Sequence, residues 1–503
     1  MEVLDTSIAN VALPHIAGGL SATQDESTWV LTSYLVSNAI ILPISAWLSV
    51  LVGRKRFYMT CVTLFTISSF LCGFAQSLGM LVVFRVMQGF GGGGLATSEQ
   101  SILADTFTPE KRGMAFAVYG MAVVLAPAIG PTLGGWITDN YTWRWIFYIN
   151  VPVGLLSLYL THKIVEDPPY IENERQKMLK NPIDYIGLGL ITVGMGCLQV
   201  VLDKGQEDDW FSSRLILTMS VLSVTMIGWF LVNEWNHRNP IVDIKLLKQR
   251  NFATAVLMMF VLGMVLFGTT VLIPQFLQVL MGYTAEQAGK VLSPAGFVMM
   301  AMMAVAGRSL GKMDPRIMVA LGYMATAAGI YNLTRLDLNS SFGTVTLWRA
   351  LQVIGLPFVF IPISTLNYVG VPPSKTNQIS SLSNFARNLG GSAGTALLTT
   401  YLARSGQVRQ QALGAHVIPG SVPYRIYMAN MMTMLQSAGM SAGQASSTAV
   451  GMAYREMQRQ ASMLAYKNAF FILSVVILSL VPLPFIMRLP AKKVKLDPEA
   501  MGH

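Results

Sequence analysis

Apolar residues fill this chain in blocks of about twenty, separated by short polar or basic stretches. A helix rising about 1.5 Å per residue needs about 20 such residues to cross the hydrocarbon of a bilayer. The pattern therefore predicts helices over 1–18, 29–52, 57–76, 79–104, 114–138, 146–164, 184–203, 213–233, 253–281, 288–308, 317–335, 344–368, 378–402 and 468–487. The opening stretch, MEVLDTSIANVALPHIAGGL, has no signal-peptide pattern and is too short to span from its start. It reads as the second half of a truncated first helix. One loop, 403–467, is far longer than the rest and rich in Met, Gln, Ala and Ser. Its later part, TAVGMAYREMQRQASMLAYKNAF, places apolar residues at helical spacing. Two readings stand for it: a helix lying on the outer face of the bundle, or a docking surface for a periplasmic partner.

Composition excludes a soluble globule. Hydrophobic residues make up 53% of the 503 and charged ones only 12%, about half the usual charged share of a soluble domain. The formal charge of +10 would suit nucleic acid if the chain were soluble. In a membrane chain it reads instead as lysine and arginine gathered in cytoplasmic loops. With the amino end cytoplasmic, 21 of the 35 basic residues fall in cytoplasmic segments and five in short outer loops. Cys61, Cys72 and Cys197 sit in apolar runs with neither disulfide nor metal spacing, and read as packing residues. No Walker motif follows the glycine run GFGGGG, and the five histidines lack metal spacing. No metal, cofactor or ATP chemistry is expected.

The chain repeats itself. Arg85-Val-Met-Gln88 recurs as Arg349-Ala-Leu-Gln352, at an offset of 264 residues. At the same offset Pro109 and Lys111 match Pro373 and Lys375, and Gly130 matches Gly394. Parallel repeats of six helices with substrate between the halves are a recurrent transporter plan. The expected organisation is a six-helix bundle over 1–164, a linker with two inserted helices over 165–252, a second six-helix bundle over 253–487 that includes the long loop, and a cytoplasmic tail over 488–503.

Charges inside the predicted spans carry the candidate chemistry, since each costs roughly 2.5–3.5 kcal/mol at the bilayer centre on insertion scales. They are Asp5, Arg85, Glu99, Arg349 and Arg387. Arg85, Gln88, Gly89, Gly92 and Glu99 share one face of the fourth helix, with Glu99 about 40° from Arg85 and about 21 Å further along. The glycines of that face let a neighbouring helix or a substrate approach the backbone. A buried carboxyl beside an arginine is poised to take and release protons, which makes Asp5 a proton-coupling candidate with Arg85 and Glu99. The structural alternatives are that Asp5 bridges helices, Arg85 bonds carbonyls and Glu99 reaches cytoplasmic water. In the fifth helix, Pro127, Gly130, Pro131, Gly134 and Gly135 form either a hinge or a packing seam. Gly53, Arg54 and Arg56 form a basic cytoplasmic turn after the second helix.

At these residues the chain resembles the major facilitator superfamily, in its fourteen-helix drug:proton antiporter branch of the EmrB/QacA type. Leu4-Asp5-Thr6-Ser7-Ile8-Ala9-Asn10-Val11-Ala12-Leu13-Pro14 is similar to that branch's first-helix signature. Arg85-Val-Met-Gln88-Gly89 resembles the helix-4 motif, whose arginine is implicated in proton transfer. Ala126-Pro127-Ala-Ile-Gly130-Pro131-Thr-Leu-Gly134-Gly135-Trp136 resembles the antiporter motif of exporters. Trp143-Arg144-Trp145-Ile-Phe147-Tyr-Ile-Asn150-Val-Pro152, Leu202-Asp203-Lys204-Gly205, Asn239-Pro240-Ile241-Val242-Asp243 and Ser383-Asn384-Phe385-Ala-Arg387 extend the likeness along the chain. It departs at the second loop, where Ser49-Val50-Leu51-Val52 lacks the family's aspartate before the basic turn Gly53, Arg54 and Arg56. The resemblance implies an all-α integral membrane protein of two six-helix bundles plus two inserted helices, about fourteen in all. It implies proton-coupled export of hydrophobic or amphipathic drugs across the inner membrane of a Gram-negative bacterium, with no enzymatic step and no cofactor. Its partners would be drugs, protons, the lipid bilayer, an EmrA-like periplasmic adaptor and an outer-membrane channel, with no nucleic acid. Arg349, Gln352 and Arg387 would be the second-half counterparts. Two other readings are export of a specific metabolite, siderophore or fatty acid, and a membrane sensor or scaffold that moves nothing.

Overall fold

A computed structural model describes residues 1–180, 183–237, 240–418 and 420–488, and all regular structure among them is helical. The predicted tail 488–503, apart from Arg488, and the motif residue Asn239 lie outside the described residues, as do the basic residues Arg238, Lys492, Lys493 and Lys495.

The helices are α1 (Glu2–Gly19), α2 (Trp29–Val52), α3 (Arg54–Phe74), α4 (Leu78–Thr106), α5 (Pro109–Asn140), α6 (Asn150–Ile164), α7 (Pro169–Leu179), α8 (Tyr185–Lys204) and α9 (Arg214–Asn236). They continue as α10 (Arg250–Gln275), α11 (Ala285–Ser309), α12 (Pro315–Leu333), α13 (Phe342–Val353), α14 (Leu356–Leu366), α15 (Thr376–His416), α16 (Val422–Ser437) and α17 (Ala442–Ser479). Starts are written in local chemistry. Ser77 accepts from the Met80 amide (3.3 Å) ahead of α4. Asp184 accepts from Gly187 (2.8 Å) ahead of α8. Thr284 with Gln287 and Ser441 with Gln444 form capping boxes at α11 and α17. Gly53, at φ +97°, makes the sharp turn between α2 and α3 that an L side chain would strain.

Eleven helical stretches among the described residues are long and apolar enough to cross a membrane. Helices α1, α12 and α15 occupy three more predicted spans but fall outside that set, because small and polar residues dilute them. The apolar surface faces outward as a lipid-exposed chain requires: Leu217, Val221, Val224 and Val232 of α9 are all exposed.

In the first half α1 packs on α5, α2 on α4, and α3 on α4 and α6. In the second, α10 packs on α15, α11 on α13, and α12 on α13, α14 and α17. The halves meet where α5 lies along α11 and α2 along α15. The inserted pair, α8 and α9, packs through Leu190, Met195 and Phe230 onto Trp47 of α2, Phe252 of α10 and Leu382 of α15.

Two predicted elements come out differently. The single helix expected over 344–368 is broken between α13 and α14, where Pro357, in the first turn of α14, has no N–H to donate to the carbonyl of Val353; Gly355 at the break crosses α12 so closely that a Cβ would lie 2.1 Å from the Gly322 carbonyl. The long loop 403–467 is not a loop. Helix α15 runs 41 residues and α17 runs 38, about 60 Å each against a hydrocarbon thickness of about 30 Å. Both therefore run well past the length of one span, tied by a hydrogen bond from Gln410 to Tyr454 (2.7 Å). Helix α16 caps them, packing Met428, Met431 and Leu435 against Ala445 and Ala449. The helical spacing seen in the sequence belongs to an outward extension of the last span, not to a helix lying flat.

Candidate functional site

Asp5 and Arg85 meet in the interior of the first half. Asp5 is one turn into α1 and 2% exposed; Arg85 is on α4 and fully buried. Arg85 Nη1 donates to Asp5 Oδ2 (2.5 Å) and to Gln88 Oε1 (2.7 Å). Its Nε donates to the Val30 carbonyl (2.9 Å). Gln88 Nε2 donates to Asp5 Oδ1 (3.0 Å), and so does Asn150 Nδ2 of α6 (2.9 Å). Asn150 donates also to Ser69 (3.1 Å), which itself donates to the Phe147 carbonyl (2.9 Å). The guanidinium lies over the Tyr34 ring at 4.4 Å. The carboxylate thus takes three donors from α4 and α6, and the pair is neutral as a whole. Low dielectric strengthens the attraction, and the donors on both carboxylate oxygens offset the desolvation of Asp5, while Arg85 Nη2 is buried without a hydrogen-bond partner.

The glycines of α4 turn out to be a seam between helices. A Cβ at Gly89 would sit 2.0 Å from Ser37 Oγ and 2.4 Å from the Tyr34 carbonyl; at Gly92 it would meet the Tyr34 hydroxyl at 2.4 Å. Gly91 and Gly94 press in the same way on α3. The open alternative, helix or substrate, resolves to helix. The motif in α5 likewise presses on α1: a Cβ at Gly130 would meet Ser7 at 2.5 Å, and one at Gly134 would meet Ile8 at 3.1 Å. Gly135 faces open space. Pro127 and Pro131 lie inside the same helix, one turn apart.

Glu99 is not brought to the Asp5–Arg85 pair. Its carboxylate accepts from Tyr58 of α3 (3.2 Å), because the fourth-helix stripe is divided between two neighbours. Beside it, Gln100 and Asn384 exchange amide hydrogen bonds (2.9 and 3.3 Å) between α4 and α15, joining the two halves. Ser381 adds a bond to the Leu42 carbonyl (2.6 Å). Glu2, three residues before Asp5, accepts from Asn38 of α2 (2.9 Å).

At the turn between α2 and α3 Arg54 is buried, and its Nη1 donates to Asp105 at the end of α4 (2.6 Å). Tyr170 of α7 closes the triangle: its hydroxyl accepts from Arg54 and donates to Asp105. Burial pushes the Tyr170 phenol well above its ordinary value, so the hydroxyl keeps its proton to donate. Arg56 is exposed and takes no part in this triangle. The aspartate absent from the second loop has a substitute in Asp167, whose carboxylate accepts from the Lys55 amide (2.8 Å) at the start of α3. A negative charge is favoured there by the helix dipole.

The second half repeats the arginine–glutamine part of the Asp5–Arg85 constellation. Arg349 and Gln352 on α13 and Thr269 on α10 form the equivalent constellation, and Thr269 is 264 residues after Asp5, the repeat offset itself. Arg349 Nη1 donates to Thr269 Oγ1 (3.1 Å) and to Gln352 Oε1 (2.5 Å); Gln352 Nε2 donates to Thr269 (3.0 Å). A hydroxyl stands where the carboxylate stands in the first half, so only one of the duplicated sites can hold a proton on an acid. Arg387 on α15 borders a narrow apolar cavity between the halves.

Comparison with known proteins agrees with this duplicated plan. The family model described as Major Facilitator Superfamily matches residues 1–395. The chain belongs to the major facilitator superfamily. Within the superfamily it is 40% identical over 420 residues to the multidrug export protein EmrB of Haemophilus influenzae, covering 83% of this chain and 81% of that one. It is 34% identical over 490 residues to the fatty acid resistance protein FarB of Neisseria gonorrhoeae, covering 97% and 94%. The solved structure of the superfamily's proton:xylose symporter XylE aligns over 96% of this chain and 94% of its own, with a TM-score of 0.59 at 12% identity, a likeness of fold.

Sequence reasoning placed Asn150 in the family likeness without a role, and missed Tyr34, Glu2, Thr269, Tyr170 and Asp167. Thr269 was within reach, since the repeat offset points to it from Asp5. Glu2 lies inside the predicted span 1–18 and carries the same signal as Asp5; the rest are polar or aromatic residues whose partners lie on different helices. For Thr269, a direct test follows. Removing one partner of a buried ion pair costs about 3–5 kcal/mol, and Thr269→Asp supplies the missing partner of Arg349. Thermal unfolding of the purified variant in detergent is expected at a higher midpoint than the parent; a lower midpoint would mean that Arg349 is already compensated.

Proposed function

We propose that this protein exports hydrophobic or amphipathic toxic compounds from the cytoplasmic side of a bacterial inner membrane, driven by protons entering in exchange. The observation that carries this reading is the Asp5–Arg85 pair, a titratable acid held by three donors in the interior of a membrane bundle. Such a group is costly in a bilayer and is retained where it serves a proton or substrate route. The kinship with proteins named for multidrug export supports the cargo class.

In the cycle, Asp5 takes a proton from the outer side, which frees Arg85 and Gln88 from the carboxylate and lets the halves rearrange. Asp5 loses that proton toward the cytoplasm as the next substrate enters. Gly130 and Gly134 of α5 press on α1, so the helix that carries Asp5 and the helix that carries Pro127 and Pro131 share one seam. The Arg54–Asp105–Tyr170 triangle and the Gln100–Asn384 amides hold the cytoplasmic side and must part for loading. The helical hairpin of α15, α16 and α17 exposes Val408, Val422, Ile426 and Val450, which suits docking of a periplasmic adaptor that leads to an outer-membrane channel. The protein performs no covalent chemistry in this reading.

Purified protein in liposomes, loaded with a fluorescent amphipathic dye and given an inward proton gradient, is expected to move dye against its concentration gradient, and to stop when a protonophore is added. Dye movement indifferent to the gradient would refute the exchange.

A further inference from the structure

The inserted pair of helices, which the export cycle above does not use, holds two buried carboxyl groups. Asp184, 7% exposed, caps the start of α8, and Glu234, 1% exposed, lies in the last turn of α9. Both aim at Gly187. A Cβ there would lie 2.5 Å from Asp184 Oδ2 and 2.9 Å from Glu234 Oε1, so the bare glycine is what lets the two groups converge.

The two are unequally provided for. Asp184 accepts from the Gly187 amide (2.8 Å) and from Asn233 Nδ2 (2.5 Å). Neither oxygen of Glu234 has a hydrogen-bond partner among the described residues; the amides of Ile241 and Val242 face it without reaching hydrogen-bond geometry. The charges acting on Glu234 are Asp184 and Asp243, both negative. Asp243 is itself paired with Lys375, ahead of α15 (3.0 Å). Lys245, Lys248 and Arg250 are exposed, and Lys248 lies over the Trp235 ring (4.5 Å). Helix α2, which packs on α8, carries no charged residue over 29–52.

A bare carboxylate in such a place is costly, and a second one beside it raises the cost. The helix dipoles divide the pair: negative charge is favoured at the start of α8 and disfavoured in the last turn of α9. We propose that Asp184 and Glu234 share one proton, carried on Glu234 and donated to Asp184, and that this proton closes the end of the inserted pair where α8 begins and α9 ends. The closure bears on the second half through the segment 240–248. Ile241, Val242 and Leu246 of that segment pack with Leu190 and Phe230 of the pair, and Gln378 of α15 donates to the Ile241 carbonyl (3.0 Å). Loss of the proton sets two negative charges face to face at that end and loosens the segment. The proposal goes beyond the export reading and holds whatever the cargo.

The test uses the full chain in detergent, with Glu234→Gln and Glu234→Leu. Glutamine donates a hydrogen bond without titrating; leucine removes both acid and donor. The folded parent binds one proton more than the unfolded chain, in which both carboxyls ionise. Its unfolding constant is therefore expected to rise with pH more steeply than that of either variant, by about tenfold per pH unit through the range where the proton leaves. Either variant carries this comparison if the other fails to fold. Infrared absorption of the parent is expected to show a protonated carboxyl that Glu234→Gln lacks, a signal that packing alone does not produce. Hydrogen exchange over 240–248 is expected to quicken in the parent relative to Glu234→Gln as the buffer is made alkaline. One pH dependence common to parent and variants, or no protonated carboxyl lost in Glu234→Gln, would overturn the proposal. So would a stability that follows added potassium or magnesium instead of pH, which would make the pair a cation site.

Discussion

Asp5→Asn is expected to abolish the coupling of efflux to a proton gradient while leaving passive, gradient-independent dye movement. Asparagine fills the same space, but it cannot carry a proton on and off. One charge moved through 100 mV supplies about 2.3 kcal/mol, which corresponds to roughly a fifty-fold concentration ratio for one-to-one exchange. The variant should therefore fall from a gradient of that order to none. It also leaves Arg85 charged and buried without its partner, a loss of about 3–5 kcal/mol when such a pair is broken. A poorly folded variant would mimic an uncoupled one. The double variant Asp5→Asn/Arg85→Gln removes both charges and separates the two effects: it should regain most of the thermal stability and none of the coupling. Coupled efflux at the parent level in either variant would remove Asp5 from the mechanism.

The second large effect is expected at Gly89. A single methyl there would lie 2.0 Å from Ser37 Oγ and 2.4 Å from the backbone carbonyl of Tyr34. A side-chain hydroxyl can rotate away, but a helix backbone cannot. Gly89→Ala must therefore push α4 off α2, and forcing extra atoms into a packed seam costs typically about 1–3 kcal/mol, sometimes more. The same displacement moves Tyr34, whose ring covers the Arg85 guanidinium. The expected result is a lower thermal midpoint together with weakened coupling. Gly135→Ala, where a Cβ meets nothing within 4 Å, serves as the control and should match the parent. Equal midpoints for the two variants would show that the α2–α4 seam yields more readily than its geometry implies.

Much of this protein was legible in its sequence because the bilayer imposes a coarse and repetitive code. Most spans follow from block length. The Arg–Gln pair of the second half follows from residues repeating at one offset, and the meeting of Asp5 with a partner inside the bundle follows from the cost of charge in hydrocarbon. Each of these is a property of one residue or one segment against lipid, so no partner needs to be known. What joins residues from several helices was decided only in three dimensions. Asn150 completes the donor set of Asp5 from 145 residues away. Glu99 turns to Tyr58 rather than along its own helix, because rotation of α4 within its bundle depends on which helices its glycines admit. Asp167 stands in for the missing aspartate of the second loop, since a helix N-terminus accepts a carboxylate from any segment that reaches it. The outer loop became a tall helical hairpin because α15 and α17 support each other beyond the membrane, where hydropathy no longer marks a helix. The sequence alone determined which segments are long and apolar enough to lie in lipid; the tertiary structure decided which polar groups meet one another, because that depends on the rotation and crossing of packed helices.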